Sequence, residues 1–182
     1  EARFEAVHNP VADFKGAAGI EFDSRDFSAV GEEAFIGPSE TRGWGFFVAE
    51  ERAFEWGDLS LGGRIEPVEH TNANFSDYDK TALAMAGGVG LDVPGDNRFI
   101  VNLSYTQRNP DIEELYSDGA HIATRQFEVG LLALPGGTAT TEDSINLELG
   151  LRHDEGAVNW DTSVFYYDFS DYIYQDLTGA VV

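Results

Sequence analysis

Apolar and polar residues alternate with a period of two along most of this chain, and this pattern limits what the chain can fold into. In the stretch FIVNLSYTQR, the apolar residues Phe99, Val101, Leu103 and Tyr105 occupy every second position. Successive side chains of a strand point to opposite faces, so the pattern requires a sheet with one apolar and one polar face. We therefore predict an all-β chain of about eight antiparallel strands in an up-and-down meander.

The two predicted faces differ in chemistry. The polar positions carry small and charged residues, which suits the water-filled interior of a transmembrane barrel. Predicted interior residues are Lys15, Glu21, Arg64, Asn102, Ser104, Glu148, Arg152 and Asp161. The opposite, apolar face includes Leu59, Leu61, Leu103, Leu147, Leu149 and Trp160. A soluble barrel or two-sheet sandwich, with its apolar face turned to a core, is the alternative.

Connection lengths and aromatic residues favour the membrane. Tight connections (8–13, 55–58, 94–97 and 154–157) alternate with long ones (30–43, 67–80 and 109–143). A meander then has all its short turns at one rim and its long loops at the other, as in outer-membrane barrels. Strands of about ten to twelve residues suit a tilted crossing of a bilayer. Aromatics expected near the membrane interfaces are Phe14, Trp44, Trp56, Tyr105, Trp160, Tyr172 and Tyr174.

Charge narrows the range of partners. The chain has 33 acidic and 11 basic residues and a net charge of −22. This argues against nucleic acid, because binding phosphates requires clustered Lys and Arg. Cations or basic partners fit better, although solubility alone explains the charge equally well. The sequence contains no run of 18 apolar residues, so we predict no transmembrane helix. Because the first residue is Glu1, we expect a mature segment or a fragment.

One stretch interrupts the alternation and carries a resemblance to a known family. TQRNPDIEELYSDGAHIATRQFEVG, residues 106–130, resembles a recurrent stretch late in the barrel of TonB-dependent outer-membrane receptors. The matching residues are Arg108, Pro110, Glu114, Leu115, Tyr116, Gly119, His121, Ala123, Thr124, Phe127, Glu128 and Gly130. Further similar stretches follow the family order: AVGEEAF (29–35), GGRIE (62–66), EDSINLELGLR (142–152) and FYYDFSDYIY (165–174). The Gly-x-His-x-Ala-Thr version is most similar to the zinc-uptake branch.

The resemblance implies a function. It makes residues 1–182 one partial β-barrel, without the plug domain, from a receptor whose barrel has about twenty-two strands. Such a receptor lies in the Gram-negative outer membrane, contacts its lipid, and couples to the TonB complex through the plug. It takes up a scarce small-molecule or metal substrate by energy-coupled transport. Zinc is the first expectation, as a transported substrate rather than a required cofactor, and a ferric siderophore or haem is the second.

The resemblance also makes residues 109–143 an extracellular loop bordering the substrate path. The candidate substrate-binding residues are Arg108, Glu113, Glu114, Tyr116, His121 and Glu128. Imidazole and carboxylate groups suit Zn²⁺, and the candidate metal ligands are His121, Glu33 and His70. The alternative role of Arg108, Tyr116 and Phe127 is to pack the loop onto the rim. Within the loop, PDIEELY predicts a short helix capped by Asp111, with Glu114 three residues later.

Enzyme motifs are missing from the sequence. It contains no Gly-x-Ser-x-Gly elbow, no HExxH and no P-loop. We therefore predict that the chain is not an enzyme. A passive, porin-like channel is a further alternative within the same fold.

Overall fold

The computed structural model describes residues 1–31, 34–121, 125–155 and 157–176. Within these residues, ten strands and one short helix follow one another. They are β1 (Ala2–Val11), β2 (Phe14–Phe27), β3 (Ser39–Phe54), β4 (Gly57–Asn72), β5 (Tyr78–Val93), β6 (Asn97–Arg108), α1 (Ile112–Tyr116), β7 (Asp118–His121), β8 (Gln126–Val129), β9 (Glu142–His153) and β10 (Trp160–Ser170). Among the described residues, no helix is long and apolar enough to cross a membrane.

Eight strands form one sheet in the order β1-β2-β3-β4-β5-β6-β9-β10, and β7 and β8 form a separate hairpin. Every neighbouring pair in the large sheet is antiparallel. Each strand therefore pairs with the next long strand along the chain. The predicted all-β, antiparallel meander is confirmed.

Strand register sorts the side chains into the two predicted faces. Val101 pairs with Val89 on one side and with Leu149 on the other. Its neighbour Asn102 pairs with Gly88 and Glu148. Directly paired residues point to the same side of a sheet, so the apolar and the polar residues each form continuous rows. All the residues predicted to line the interior share the polar face.

The apolar face lies open. Phe46, Leu61, Met85, Leu103 and Ile145 are each between 47% and 55% exposed, although all belong to the middle of the sheet. A soluble sandwich would cover these side chains with a second sheet, and no second layer covers this face in the described part of the chain. The arrangement matches the lipid-facing surface of a barrel.

The polar face contains grooves. Two grooves of ≈ 500 Å³ and ≈ 690 Å³ open on it. The larger groove has a floor of small residues, among them Ser60, Gly62, Ala86 and Gly88, with Tyr167 at its side. Small side chains keep this inner surface open, as a barrel interior requires.

The rows of apolar residues on the apolar face together form what we call the apolar band. Charged residues border this band at both of its ends on β3. On β3 the band runs from Trp44 to Val48, between Arg42 and Glu50 of the same face. On β4 it ends at Pro67, so residues 68–72 continue beyond it. Trp44 thus marks the border of the band in the middle of a strand, because β3 is longer than the band is wide.

The strands are longer and the loops shorter than predicted. β3, β4 and β5 have 16 residues each, against the ten to twelve expected. The predicted long loop 67–80 is wrong, because β4 and β5 leave only residues 73–77 between them. Glu69 and His70 consequently lie on a strand. The sequence around Tyr78 is polar and therefore predicts a loop. In the structure, β5 begins at Tyr78, and the Tyr78 side chain is buried.

Substitutions on the two faces of β6 test this assignment. We expect Leu103→Arg to lower the free energy of unfolding by about 2–4 kcal/mol, the cost of a cation on a lipid-facing strand near the bilayer centre. Asn102→Arg, one residue away on the polar face, should change it by less than about 1 kcal/mol. Guanidinium unfolding of the full-length protein in lipid vesicles measures both. Equal effects of the two variants would contradict the assignment.

Candidate functional site

The long connections meet over one end of the polar face, which we call the mouth, and share a small core there. Its buried residues are Ile36, Tyr78, Ile112, Leu115 and Tyr116. Partly buried around them are Phe27, Phe35, Phe75, Leu132 and Ala139. Tyr78 belongs to β5 and Phe27 to β2, and the other side chains come from residues 28–38, 73–77 and 109–141. We call residues 109–141 the mouth segment. Fully burying one large apolar side chain contributes about 1.5–3 kcal/mol, so this core holds the three connections together.

Local sequence places the helix at the start of the mouth segment. Pro110 disfavours continuation of β6, since proline cannot donate to a strand ladder. The Asp111 side chain accepts a hydrogen bond from the amide of Ile112 at 2.9 Å. The Glu114 carboxylate accepts one from the amide of Asp111 at 2.8 Å. These bonds form a capping box, and the predicted short helix with its Asp111 cap is confirmed.

Arg108 joins the helix to two strands. From the end of β6 it donates to Glu114 through Nη1 at 2.8 Å and through Nη2 at 3.1 Å. Nη2 also lies 3.3 Å from Glu142 at the start of β9. A two-pronged contact with one carboxylate fixes orientation as well as distance. Arg108 therefore fastens the two ends of the mouth segment to each other.

Two buried hydroxyls fix the mouth segment to β4 and β5. Tyr116 donates to the carbonyl oxygen of His70 at 2.9 Å. Tyr78 donates to Oδ1 of Asn109 at 2.9 Å. Burial raises the pKa of Tyr116 to about 12, because a buried phenolate would lose its hydration. Tyr116 consequently remains a hydrogen-bond donor at neutral pH.

The chain returns to the helix beyond β8. The amides of Gly130, Leu131 and Leu132 donate to carbonyl oxygens of residues 114–117 at 2.7–2.9 Å. Gly130 passes so close that a Cβ there would lie 2.5 Å from the backbone of Leu115. Real Cβ atoms do not approach backbone so closely, so glycine is needed at this position. The Gly at the end of the Phe-Glu-x-Gly stretch thus has a packing role.

His70 is buried and already engaged. Its Nδ1 lies 2.8 Å from Oγ1 of Thr41, and its ring lies 5.8 Å from that of Tyr78. Burial lowers the pKa of this imidazole, while the Asp111 carboxylate and the Pro110 backbone oppose that shift. His70 lies beyond the apolar band on β4, inside the mouth rather than on its surface.

His121 lies on the β7–β8 hairpin, at the other side of the mouth segment. Its Nδ1 lies 2.6 Å from Oε1 of Glu128, and its ring stacks on Phe35 at 4.9 Å. The amide of Asp118 donates to the carbonyl oxygen of Phe35 at 2.7 Å. His121 and Glu128, both predicted as substrate contacts, are thus brought together.

The predicted metal ligands do not form a described metal site. Within the described residues, no three His, Asp or Glu side chains lie close enough together to hold a metal ion. Glu33 and its neighbour Glu32 lie outside the described residues. The ligand set of His121, Glu33 and His70 therefore remains a prediction.

Three other residues predicted as substrate contacts have a structural role. Arg108, Glu114 and Tyr116 make the contacts that hold the mouth segment in place, as the packing alternative expects. Glu113 is exposed on α1, and its backbone carbonyl accepts a hydrogen bond from Ser117 at 2.6 Å. A role of these residues in substrate binding remains a prediction.

Below the mouth, the ≈ 500 Å³ groove contains a charged network. Arg64 lies between Glu21 and Glu66, with a nitrogen–oxygen distance of 2.6 Å to each. Gly45 makes room for it, since a Cβ there would lie 2.5 Å from an Arg64 nitrogen. Predicted only as an interior residue, Arg64 lies directly beneath the mouth.

Sequence reasoning missed three residues that make contacts at the mouth: Thr41, Tyr78 and Asn109. Each lies near the end of a strand, where the alternation is least informative. An aromatic residue at the first position of a strand, as Tyr78 is, was the available signal. Partners such as Asn109 are 31 positions away in the chain, and spacing alone does not identify them.

Removing Tyr116 tests what holds the mouth segment. We expect Tyr116→Phe to lower the stability of the mouth segment by about 1 kcal/mol, because the hydrogen bond to His70 is lost. Tyr116→Ala should cost about 3–5 kcal/mol, because it also leaves a cavity. Hydrogen exchange of the amides of residues 130–132 in the full-length protein reports both. Phe127→Ala is the control, since Phe127 is 40% exposed, and faster exchange in that variant as well would contradict the assignment.

Acidification tests the buried imidazole. The pKa of His70 is lower in the folded chain than in the unfolded chain. Below pH 6.5, the unfolded chain therefore binds a proton at His70 more readily than the folded chain does. Stability of the mouth should therefore be constant above the ordinary histidine pKa of 6.5 and decline as the pH falls below it. In His70→Asn, whose amide can keep a contact with Thr41, the same amides should exchange with a flatter pH dependence. His153→Asn, at the opposite rim, should behave as wild type, and an unchanged pH profile in His70→Asn would refute this account.

Residues 3–182 match the family described as TonB dependent receptor-like, beta-barrel. This match covers nearly the whole chain, including every strand of the large sheet and the mouth segment. The family is one of outer-membrane transporters of Gram-negative bacteria rather than of enzymes, and it works with TonB. The chain belongs to the TonB-dependent receptor β-barrel family.

Proposed function

We propose that this chain is part of the barrel wall of an outer-membrane receptor that takes up Zn²⁺ by TonB-coupled transport. Family membership supports the receptor class and the membrane. The open apolar band supports contact with outer-membrane lipid. The substrate, the TonB contact through a plug domain, and the location of this particular chain belong to the proposal.

The eight strands are proposed to be part of a larger barrel. Within the described residues, β1 pairs only with β2, and β10 pairs only with β9. Open sheet edges are not stable in hydrocarbon, where each unpaired backbone group costs several kcal/mol. Further strands on both sides would satisfy these edges and close the sheet around the polar face.

One observation carries the choice of zinc: the contact of 2.6 Å between His121 Nδ1 and Glu128 Oε1. Metal-binding histidines usually donate one ring nitrogen to a carboxylate, which orients the ring and fixes its tautomer. Glu128 is in place to do this for His121. A complete site needs additional ligands, and Glu33, on the connection that also carries Phe35, is the proposed contributor.

The net charge of −22 supports a cationic substrate. Acidic side chains around the mouth raise the local concentration of cations. A ferric siderophore or haem is the alternative substrate within the same family. Such a ligand is far larger than Zn²⁺ and would not depend on a single imidazole.

Calorimetric titration of Zn²⁺ into the full-length receptor in detergent tests the proposal. We expect binding in wild type and a loss of at least about 100-fold in affinity in His121→Ala. Glu128→Gln should weaken binding about 10- to 100-fold, the usual effect of losing the carboxylate behind a metal-bound histidine. His153→Ala, at the opposite rim, is the matched control and should bind as wild type.

The opposite result is equally clear. Zn²⁺ binding that is unchanged in His121→Ala, or that fails in wild type, would reject the zinc proposal. The same titrations with a ferric siderophore and with haem would then decide between the alternatives.

A further inference from the structure

A group of polar residues lies on the apolar face of β1–β3, at the short-turn border of the apolar band. We call it the border cluster: His8, Asp13, Glu50 and Arg52. Register puts three of them on the apolar face, because His8 pairs with Gly16, Gly16 with Glu50, and Arg52 with Phe14. Asp13 lies in the turn between β1 and β2. Charged side chains at this depth lie where lipid headgroups meet the hydrocarbon layer.

Aromatic rings hold Arg52 in place. Its guanidinium carbon lies 5.4 Å from the ring centre of Phe14 and 4.8 Å from that of Phe54. Phe54 in turn stacks on Trp56 at 4.7 Å. Cation–π contacts of this kind fix the plane of the guanidinium without neutralising its charge. The rings also bury Nε, which has no hydrogen-bond partner among the described residues.

The charge of Arg52 is only partly satisfied by its neighbours. Nη2 lies 3.1 Å from Oδ2 of Asp13, whose side chain is 78% exposed. Glu50 does not help, because its two oxygens lie 2.9 and 3.1 Å from Nε2 of His8. Gly16 allows that arrangement, since a Cβ there would lie 2.7 Å from the Glu50 carboxylate. The remaining donors of Arg52 thus have no acceptor in the described part of the chain.

We propose that the border cluster binds the headgroup of a zwitterionic aminophospholipid, with Arg52 donating to the phosphate and Asp13 accepting from the ammonium group. This inference rests on the proposed membrane location of the apolar band. A planar, fixed guanidinium suits phosphate, which can accept two parallel hydrogen bonds. A carboxylate accepts from several donors, so Asp13 can contact Arg52 and an ammonium group together.

Charge complementarity selects this class of lipid. The cluster offers one unsatisfied cation beside an exposed carboxylate, which matches a headgroup carrying both charges. An anionic headgroup without an ammonium group would have no contact with Asp13 and would meet a chain of net charge −22. A choline headgroup has the positive charge but no N–H to donate.

The opposite border of the band provides a matched control on the same strand and face. Arg42 lies there, with its Nη2 2.5 Å from Oε1 of Glu40. Its side chain is 59% exposed and has no ring contact in the described structure. Arg42 therefore has the same charge as Arg52 and lies on the same face of β3, but no aromatic ring in the described structure holds its guanidinium.

Native mass spectrometry of the full-length receptor in detergent tests the proposal. The probes are phosphatidylethanolamine, phosphatidylcholine and phosphatidylglycerol with identical acyl chains. We expect wild type to retain one phosphatidylethanolamine in preference to the other two. Arg52→Gln should weaken that retention about tenfold, as the loss of a charge-assisted hydrogen bond predicts. Arg42→Gln should leave it unchanged.

A second variant separates the two charges of the headgroup. Asp13 has a φ of 67°, a conformation that asparagine tolerates, so Asp13→Asn should fold normally. It should lose most of its preference for phosphatidylethanolamine over phosphatidylcholine, because the negative charge that attracts the ammonium group has gone while Arg52 still binds phosphate. A wild type without headgroup preference, or equal losses in Arg52→Gln and Arg42→Gln, would overturn the proposal. Lipid retained without preference, or no retained lipid, rejects only the border-cluster site, because the proposed membrane location is supported by the apolar band and not by this cluster.

Discussion

Backbone hydrogen bonding between neighbouring strands is the constraint on which the rest of this structure depends. In hydrocarbon each strand must give its amide and carbonyl groups to a neighbour. The meander does this by pairing every long strand with the next long strand along the chain. Once that register is fixed, every second residue lies on the apolar face and every other one on the polar face. The alternation in the sequence is therefore a consequence of the pairing.

The long strands serve two purposes. At about 3.3 Å per residue, a strand of 16 residues extends roughly 50 Å, well beyond the roughly 30 Å of a bilayer core even when tilted. The excess lies on the side of the long connections, where β4 and β5 carry His70 and Tyr78. The same strands thus cross the apolar band and then act as the wall against which the mouth segment packs. This explains why Glu69 and His70, which look like loop residues, belong to a strand.

Sequence predicted the features that depend on near neighbours in the chain. Alternation gave the strands and both faces, and the Asp111–Glu114 spacing gave the helix, because a capping box is closed within four residues. Contacts between remote positions were out of reach. Tyr116 donates to the backbone carbonyl of His70, 46 positions away in the chain. Every residue has such a carbonyl, so residue type does not identify the acceptor. Strand ends were also misplaced where a polar stretch continued the pairing, as in residues 67–80.

The mouth segment contains two parts that are held differently, and this division bears on how a binding function could change. The helical part is fixed by the buried core, the Arg108 contacts and two tyrosine hydroxyls. The β7–β8 hairpin, which carries His121 and Glu128, contacts the neighbouring connection chiefly through Phe35. Substitutions at His121 or Glu128 consequently leave the contacts of Tyr116 and Arg108 intact. A chain built in this way can change the side chains of the hairpin while the helix keeps its contacts with β4 and β5.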